Sequence, residues 1–327
     1  MVYPVAQSSA WDEARSSRMP ALITHHLFGE EAAALLPQGI LADEQDLLAF
    51  LLGNQGPDPL FARFSTLPRT AATCHRLGSL MHGQKVLDAF LALRDAVSHL
   101  REDDKTCGRA FALGMLSHYA LDSGSHAFVY AQQAAIIAAA DGLEDAQSEV
   151  HSLIETDIDS WLLWELRRQT VVQAPPADML ARTERIDRVA GALLSQLAWQ
   201  VYGVSLDAEE YAGCTHDYEL LYRAIEPVGS PRGRALMAVE RLVRPHSKLA
   251  SLAHPVWEGG DCPAANLDRH EWADPSTGER RFESFPDLFY AALDAWPDLA
   301  EAFVTRDVEA LRELAGRIDY DGRPQEA

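Results

Sequence analysis

Positive charge is scarce in this sequence of 327 residues. Lysine and arginine together number 28, whereas aspartate and glutamate number 49, so the formal net charge is −21. A nucleic-acid partner is not expected, because a protein that neutralises phosphates needs a surplus of cations. The same imbalance argues against adhesion to an anionic membrane surface.

Long apolar runs and paired cysteines are missing as well. Stretches such as residues 134–140 are far shorter than the ~20 residues of a membrane-spanning helix, so we expect no stable membrane insertion. The N-terminal residues lack the basic start and apolar core of a secretion signal. The four cysteines are scattered without a CxxC spacing, which is typical of a reducing compartment. These features predict a cytoplasmic protein.

Alternating patterns typical of strands are absent, whereas apolar residues recur at intervals of three and four along most of the chain. This period predicts helices over residues 85–100, 109–132, 144–170, 184–204, 208–225, 232–252, 285–300 and 307–318. Asp207 and Ser284 are candidate helix caps, and the Pro- and Gly-rich residues 254–283 predict one long irregular loop near the C-terminus. We predict an all-α fold, with a loose tail over residues 1–18 and a single large helical domain over residues 19–327.

The strongest chemical pattern is the segment HYALDSGSH, in which His118, Asp122 and His126 follow at intervals of four residues. On a helix this spacing places them along one face. His151 and Glu155 repeat the interval on the next predicted helix. Imidazole and carboxylate groups bind zinc and its neighbours, and facing helices can direct them into a bundle core. Burying a carboxylate among apolar side chains without a cation is costly, which favours metal binding over ordinary core histidines.

Three shorter motifs upstream contain the same ligand types. His25 and His26 stand just before a predicted helix, Asp58 lies in the turn GNQGPDP, and His82 ends the segment LGSLMH. Taken singly, each of these residues also fits an ordinary turn or helix-end position.

The remaining histidines carry weaker signals. The dipeptide of His216 and Asp217 is of a kind found in helical metal phosphohydrolases, but no surrounding pattern supports it. His246, His254 and His270 lie in or near the irregular region, and we interpret them as polar surface or structural residues.

In this order the motifs resemble the zinc-dependent phospholipase C family, in particular an intracellular-looking bacterial branch of it. The matching motifs stand at residues 19–30, 53–58, 77–82, 118–126 and 151–155, and the segment 272–289 is similar too. The resemblance implies an all-helical fold with a cluster of up to three zinc ions that hydrolyses phosphoester bonds.

The resemblance also implies a role for each candidate residue. It implies that one zinc ion is held by His82, His118 and Asp122. A second zinc ion would be held by His126, His151 and Glu155. Asp58 would lie near both ions as a ligand and as the base that orients the attacking water. Asp122 would bridge toward a third ion, with His25 or His26 as a further ligand.

The third ion depends on the N-terminus. Secreted members of the family are similar in using the amino group and carbonyl of a mature N-terminal tryptophan as ligands. The only early tryptophan here is Trp11, and the residues before it lack the apolar core that signal peptidase requires. We expect Trp11 to keep its peptide bond, so the number of zinc ions stays open between two and three.

The predicted function is a zinc-dependent phosphoester hydrolase that uses a metal-bound hydroxide to cleave a phosphodiester or phospholipid head group. Phe61 and Phe64, close to Asp58 in sequence, are the candidate substrate-binding residues. Two alternatives stay open: a metal-stabilised helical protein without catalysis, and a related zinc-dependent nuclease, which the charge balance disfavours. The number of protein ligands per ion distinguishes the first alternative from an enzyme, because structural zinc is closed by four protein ligands and catalytic zinc keeps a position for water.

Overall fold

The computed structural model describes residues 21–325, so the predicted tail and Trp11 lie outside the described residues. Twelve α-helices lie in the described range: α1 (Leu22–Leu35), α2 (Glu44–Gly53), α3 (Pro68–Gly83), α4 (Val86–His99), α5 (Lys105–Ala139), α6 (Gln147–Arg167), α7 (Glu184–Tyr202), α8 (Glu209–Ile225), α9 (Pro231–Glu240), α10 (Lys248–Ser251), α11 (Phe285–Thr305) and α12 (Val308–Ala315). Four short 3-10 helices join them, at Asp58–Ala62, Glu102–Asp104, Pro176–Leu180 and Pro263–Ala265. The all-α prediction is confirmed.

Three local predictions need correction. The helix predicted over 232–252 is two helices, α9 and α10, because Pro245 lacks an N–H and interrupts the run. The predicted irregular loop contains a small antiparallel hairpin, in which β1 (Trp272–Ala273) pairs with β2 (Arg280–Arg281). The side chain of Asp207 does not cap α8, whereas Ser284 caps α11 in a reciprocal capping box with Asp287.

Helix α5 is the central element of the fold. Its residues between Cys107 and Tyr130 are mostly buried on every side, as expected for a helix that is apolar all round. Helices α2, α4, α6 and α11 pack around it. Across residues 21–325, no helix combines the length and the apolar character that crossing a bilayer requires.

Helices α2 and α5 cross with their backbones in contact. A Cβ atom on Gly114 would overlap the carbonyl oxygen of Phe50, and one on Gly53 would overlap that of Phe111, so only glycine fits at these positions. The turn that follows α2 is thereby held against α5. Gly56, in this turn, has a φ of +58° and lies directly on the His118 ring. The crossing thus brings Asp58 to the middle of α5.

Candidate metal centre

Eight of the nine predicted ligands converge in one buried cluster, although they come from five parts of the chain. These parts are α1, the 3-10 helix after α2, α3, α5 and α6. Each of the eight side chains belongs to a residue that is at most 5% exposed: His25, Asp58, His82, His118, Asp122, His126, His151 and Glu155. The cluster divides into three groups, each with ligand atoms within 4.8 Å of one another.

Two of these groups share His118. In the first, Nε2 of His82 lies 3.1 Å from Asp58 Oδ1, and Nε2 of His118 lies 3.6 Å from Asp58 Oδ2. In the second, Asp122 places Oδ2 3.1 Å from His118 Nε2 and Oδ1 3.1 Å from His25 Nε2. Asp122 is therefore the carboxylate that joins the groups, since its Oδ2 also lies 3.9 Å from His82.

The third group combines α5 and α6. The Oε1 atom of Glu155 lies 3.1 Å from His151 Nε2 and 3.6 Å from His126 Nε2. His126 lies one helical turn beyond Asp122, with Nδ1 3.5 Å from that carboxylate. The four-residue spacing on both helices therefore produces the facing arrangement that the sequence predicts.

Four histidines of the cluster share one orientation, in which Nδ1 faces a neutral oxygen. The acceptors are Gly78 O for His82 (2.8 Å), Asn54 O for His118 (3.2 Å), Tyr320 O for His126 (3.0 Å) and Gln133 Oε1 for His151 (2.9 Å). Such an acceptor fixes the proton on Nδ1 in the neutral ring and leaves the Nε2 lone pair for a metal ion. In each ring Nε2 faces a carboxylate of the cluster.

The donor set fits zinc. Several buried atoms of the cluster have no hydrogen-bond partner among the described residues, namely His25 Nδ1, Asp58 Oδ2, His118 Nε2, Asp122 Oδ2 and Glu155 Oε2. Buried polar atoms without a partner are costly, and coordination of an ion would satisfy those that face the cluster. Ligands about 2.0–2.1 Å from a tetrahedral zinc ion lie about 3.3 Å apart. The nitrogen–oxygen distances within the groups, from 3.1 to 3.6 Å, agree with this separation.

The electrostatics of the cluster favour positive charge. Burial lowers the pKa of His126, but the charge of Asp122, the hydrogen bond to Glu155 and the charges of Asp321 and Glu155 together outweigh it and raise the pKa to about 10. Burial raises the pKa of Glu155, yet His151 and His126 reverse this and lower it to about 2. The pKa of Asp122 is held well below its usual range, because three neighbouring imidazoles outweigh its burial. Protons or divalent cations can supply the charge that these carboxylates require.

His26 is the predicted ligand that the structure places elsewhere. Adjacent helical residues point about 100° apart, so only one of two neighbouring imidazoles can face the cluster. The ring of His26 instead lies 3.6 Å from Glu30, which Arg167 also contacts. The hydrogen bond from His26 is the main reason why the pKa of Glu30 is lowered to about 2. Of the two alternatives, His25 is thus the one in the cluster, and both residues lie inside α1 rather than before it.

The two predicted substrate-binding aromatics separate in the structure. Phe61 is buried, and its ring centroid lies 5.4 Å from that of His82. Phe64 is 57% exposed, and its backbone N–H donates to Asp217. Asp217 itself is buried and also accepts hydrogen bonds from Arg63 and Ser65, so the aspartate of the His-Asp dipeptide fixes a loop.

Two groups that support the ligands were missed by the sequence analysis. Gln133 lies two helical turns after His126 on the same face of α5, a spacing that could have indicated it. Tyr320 belongs to the C-terminal segment; its N–H donates to the carbonyl of His82 and its carbonyl accepts from His126. Nothing in the sequence marks Tyr320, because the contact with His126 spans 194 residues.

A small cavity reaches the cluster between its groups. Its lining includes His25, Asp122, His126 and Glu155, together with Phe285. Carboxylates of two different groups therefore border one space of about 20 Å³, which is room for roughly one water molecule.

The fold and the cluster define a class, that of all-helical proteins with a candidate metal centre in the core of the bundle. More particularly, residues 24–198 match the family described as zinc dependent phospholipase C. The match covers more than half of the chain and contains all eight clustered ligands, and the chain belongs to this family. Comparisons with curated proteins and with solved structures gave no match.

Proposed function

We propose that this protein is a zinc-dependent hydrolase of phosphodiesters, with a phospholipid head group or a smaller phosphodiester as substrate. Family membership supports zinc and phospholipase C-like chemistry. The observation that carries the proposal is that His126, His151 and Glu155 supply three protein ligands beside a cavity of about 20 Å³, room for roughly one water molecule, whereas a closed structural zinc site has four protein ligands.

The eight ligands suffice for two or three ions. Asp58, His82 and His118 would hold one ion, with Asp122 beside them. His126, His151 and Glu155 would hold another, and three protein ligands leave a fourth position open. His25 and Asp122 would contribute to a third ion.

When bound, clustered zinc ions would polarise the phosphoryl oxygens and lower the pKa of water. Asp58 would orient the attacking water, since its Oδ2 is buried without a hydrogen-bond partner while its Oδ1 is engaged by His82. His82 is itself fixed by the carbonyl of Gly78, so the carboxylate has a defined direction.

Elemental analysis combined with a panel of phosphodiester substrates tests the proposal. We expect two or three zinc ions per chain and turnover of at least one phosphodiester by the wild-type protein. His118→Ala should lose turnover and the zinc of the two ligand groups that share His118, and keep the zinc held by His126, His151 and Glu155. Asp58→Asn should bind the ion that it shares with His82 and His118 more weakly, keep the zinc held by His126, His151 and Glu155, and lose about a hundredfold or more in turnover, as expected for removal of a ligand that also acts as a general base.

His26→Gln is the matched control for these variants. It removes an imidazole next to His25 that pairs with Glu30 outside the cluster, so zinc content and turnover should stay unchanged. Full zinc occupancy without turnover of any phosphoester would favour the alternative of a metal-stabilised helical protein. Cleavage of nucleic acid alone would favour the nuclease alternative.

A further inference from the structure

The outer face of α9 and the turn after it combine exposed apolar and basic side chains. We name this surface the α9 patch, and it consists of Arg232, Arg234, Leu236, Val239, Arg241, Leu242, Val243 and Arg244. It lies outside the residues that match the family.

The apolar members of the patch are unusually accessible. Leu242 and Val243 are each 82% exposed, Val239 is 66% exposed and Leu236 is 38% exposed. Leu236, Val239 and Val243 follow at intervals of three and four residues, so they continue one side of the helix into the turn. Met237 packs toward the core from the opposite side and anchors the helix. Contiguous apolar exposure of this kind marks an interaction surface.

The charge of the patch is opposite to that of the whole chain. Residues 231–244 contain four arginines and one acid, Glu240, in a protein of net charge −21. Within the described residues, Arg232, Arg234 and Arg241 form no ion pair, and Arg244 makes one long contact of 3.7 Å with Glu149. The net charge of the chain argues against its adhesion to an anionic membrane, but it does not decide what this local surface binds, because charges farther than about 8–10 Å are screened at physiological salt.

The single acid of this segment is turned away from the outer face. The carboxylate of Glu240 accepts hydrogen bonds from the hydroxyl of Ser247 and from the backbone N–H groups of Lys248 and Leu249. Its negative charge is therefore used to hold α10. The outward side keeps the arginines and the apolar side chains.

The patch is tied to the helix that carries two candidate ligands. The ammonium group of Lys248 donates to Ser148 O and to Ser152 Oγ on α6, and Ser152 is adjacent to His151. Helix α10, which Glu240 holds against the end of the patch, is thus hydrogen-bonded to the helix that carries His151 and Glu155.

We propose that the α9 patch docks the protein on an anionic lipid surface, with Leu242 and Val243 entering the head-group region and the arginines contacting lipid phosphates. Arginine-rich surfaces with an apolar side adsorb to such interfaces without spanning them. A two-fold contact with a second copy would bring four arginines against four arginines, which opposes self-association. The inference deepens the proposed function, because it assigns the lipid form of the phosphodiester to the same site.

Co-sedimentation with vesicles tests this docking. One vesicle set contains phosphatidylcholine alone, and the other contains equal parts of phosphatidylcholine and phosphatidylglycerol. The wild-type protein should bind the anionic set, and added salt should release it. Each exposed arginine removed should weaken binding about fivefold, so Arg232→Gln, Arg234→Gln and Arg241→Gln together should weaken it on the order of a hundredfold. Leu242→Ser with Val243→Ser should weaken it at least about tenfold.

Matched controls distinguish binding by the α9 patch from nonspecific adsorption to vesicles. Trp199→Ser changes a 68% exposed side chain on α7, and Arg101→Gln changes an exposed arginine outside the patch, so both should bind like the wild type. Equal binding to both vesicle sets, no binding, or unchanged binding by the patch variants would overturn the proposal. A dimer in sedimentation that the Leu242 and Val243 variant abolishes, without vesicle binding, would assign the patch to self-association instead.

Turnover of a soluble phosphodiester, bis(para-nitrophenyl) phosphate, keeps the two proposals distinguishable. The patch variants should hydrolyse it at the wild-type rate. Vesicle binding without turnover would contradict the proposed function alone, and turnover without vesicle binding would contradict the docking alone.

Discussion

Two buried groups of histidine and carboxylate side chains occur within residues 21–325, and their ring nitrogens face different partners. In the metal-ligand cluster, Nδ1 of His118 faces the neutral carbonyl of Asn54, while Nε2 faces carboxylates and has no hydrogen bond. In the second group, His254 lies between two carboxylates, with Nδ1 2.8 Å from Glu226 and Nε2 2.9 Å from Asp159.

In the second group, protonation of His254 balances the negative charge of the carboxylates. Burial lowers the pKa of His254, but the hydrogen bonds to Asp159 and Glu226 outweigh it and raise the pKa to about 9. Asp159 also accepts the N–H groups of Ile23 and Thr24, so the ion pair holds the start of α1. In the cluster, by contrast, a neutral acceptor at one nitrogen leaves the other for a metal ion. The direction of the ring nitrogens, rather than burial beside carboxylates, distinguishes the candidate metal site of this protein from its structural ion pair.

His254→Gln should produce the largest difference between the two groups. It leaves Asp159 and Glu226 buried without their cation, and breaking a buried pair in this way costs about 3–5 kcal/mol. We expect the free energy of unfolding to fall by this amount, while the zinc content of the folded protein stays the same. Denaturant titration and elemental analysis measure the two quantities.

His270→Gln is the control for that variant, since its imidazole is 82% exposed, and it should change neither quantity. Loss of zinc from folded His254→Gln protein would show that the two groups depend on each other, which would contradict the distinction drawn between them.

The pH dependence of the same variant sharpens the comparison. The pKa of His254 is about 9 in the folded protein and 6.5 ordinarily, so its stabilisation is fully present below pH 6.5 and is lost as pH rises through 9. The difference in unfolding free energy between wild type and His254→Gln should therefore shrink over this range. If the difference in unfolding free energy grew with pH instead, His254 would not be protonated between Asp159 and Glu226.

Gln133→Leu should have a smaller effect, confined to the metal-ligand cluster. It removes the acceptor 2.9 Å from Nδ1 of His151, and loss of such a supporting hydrogen bond lowers metal affinity by about 10–100-fold. Competition with a chelating dye measures the affinity. Gln133→Glu keeps an acceptor and should restore most of it, and Gln132→Leu, on the neighbouring half-buried residue, should have no effect. Equal affinity in all three variants would show that the orientation of His151 does not depend on this bond.

The sequence predicts those parts of the fold and site that depend on local spacing. The helical period and the four-residue intervals of His118, Asp122 and His126 fix which side chains share a face. The choice between His25 and His26 was open, because it depends on how α1 is rotated against α5 and α6. The role of Tyr320 depends on where the C-terminal segment returns, which no local pattern encodes.

The role of His254 is a second example of a feature that local sequence does not determine. Its loop position was consistent with either a surface or a structural residue, and the structure shows that it is completely buried. Its partners, Asp159 and Glu226, are separated from it by 95 and 28 residues, so their meeting is a result of tertiary packing.

X-ray absorption at the zinc edge, on protein whose metal content has been measured, tests the central claim most directly. The account predicts two or three zinc ions per chain, surrounded by nitrogen and oxygen neighbours at about 2.0–2.1 Å. Sulfur neighbours at about 2.3 Å would instead place the metal at one of the four buried cysteines. Either that result or a zinc content below one ion per chain would contradict the account.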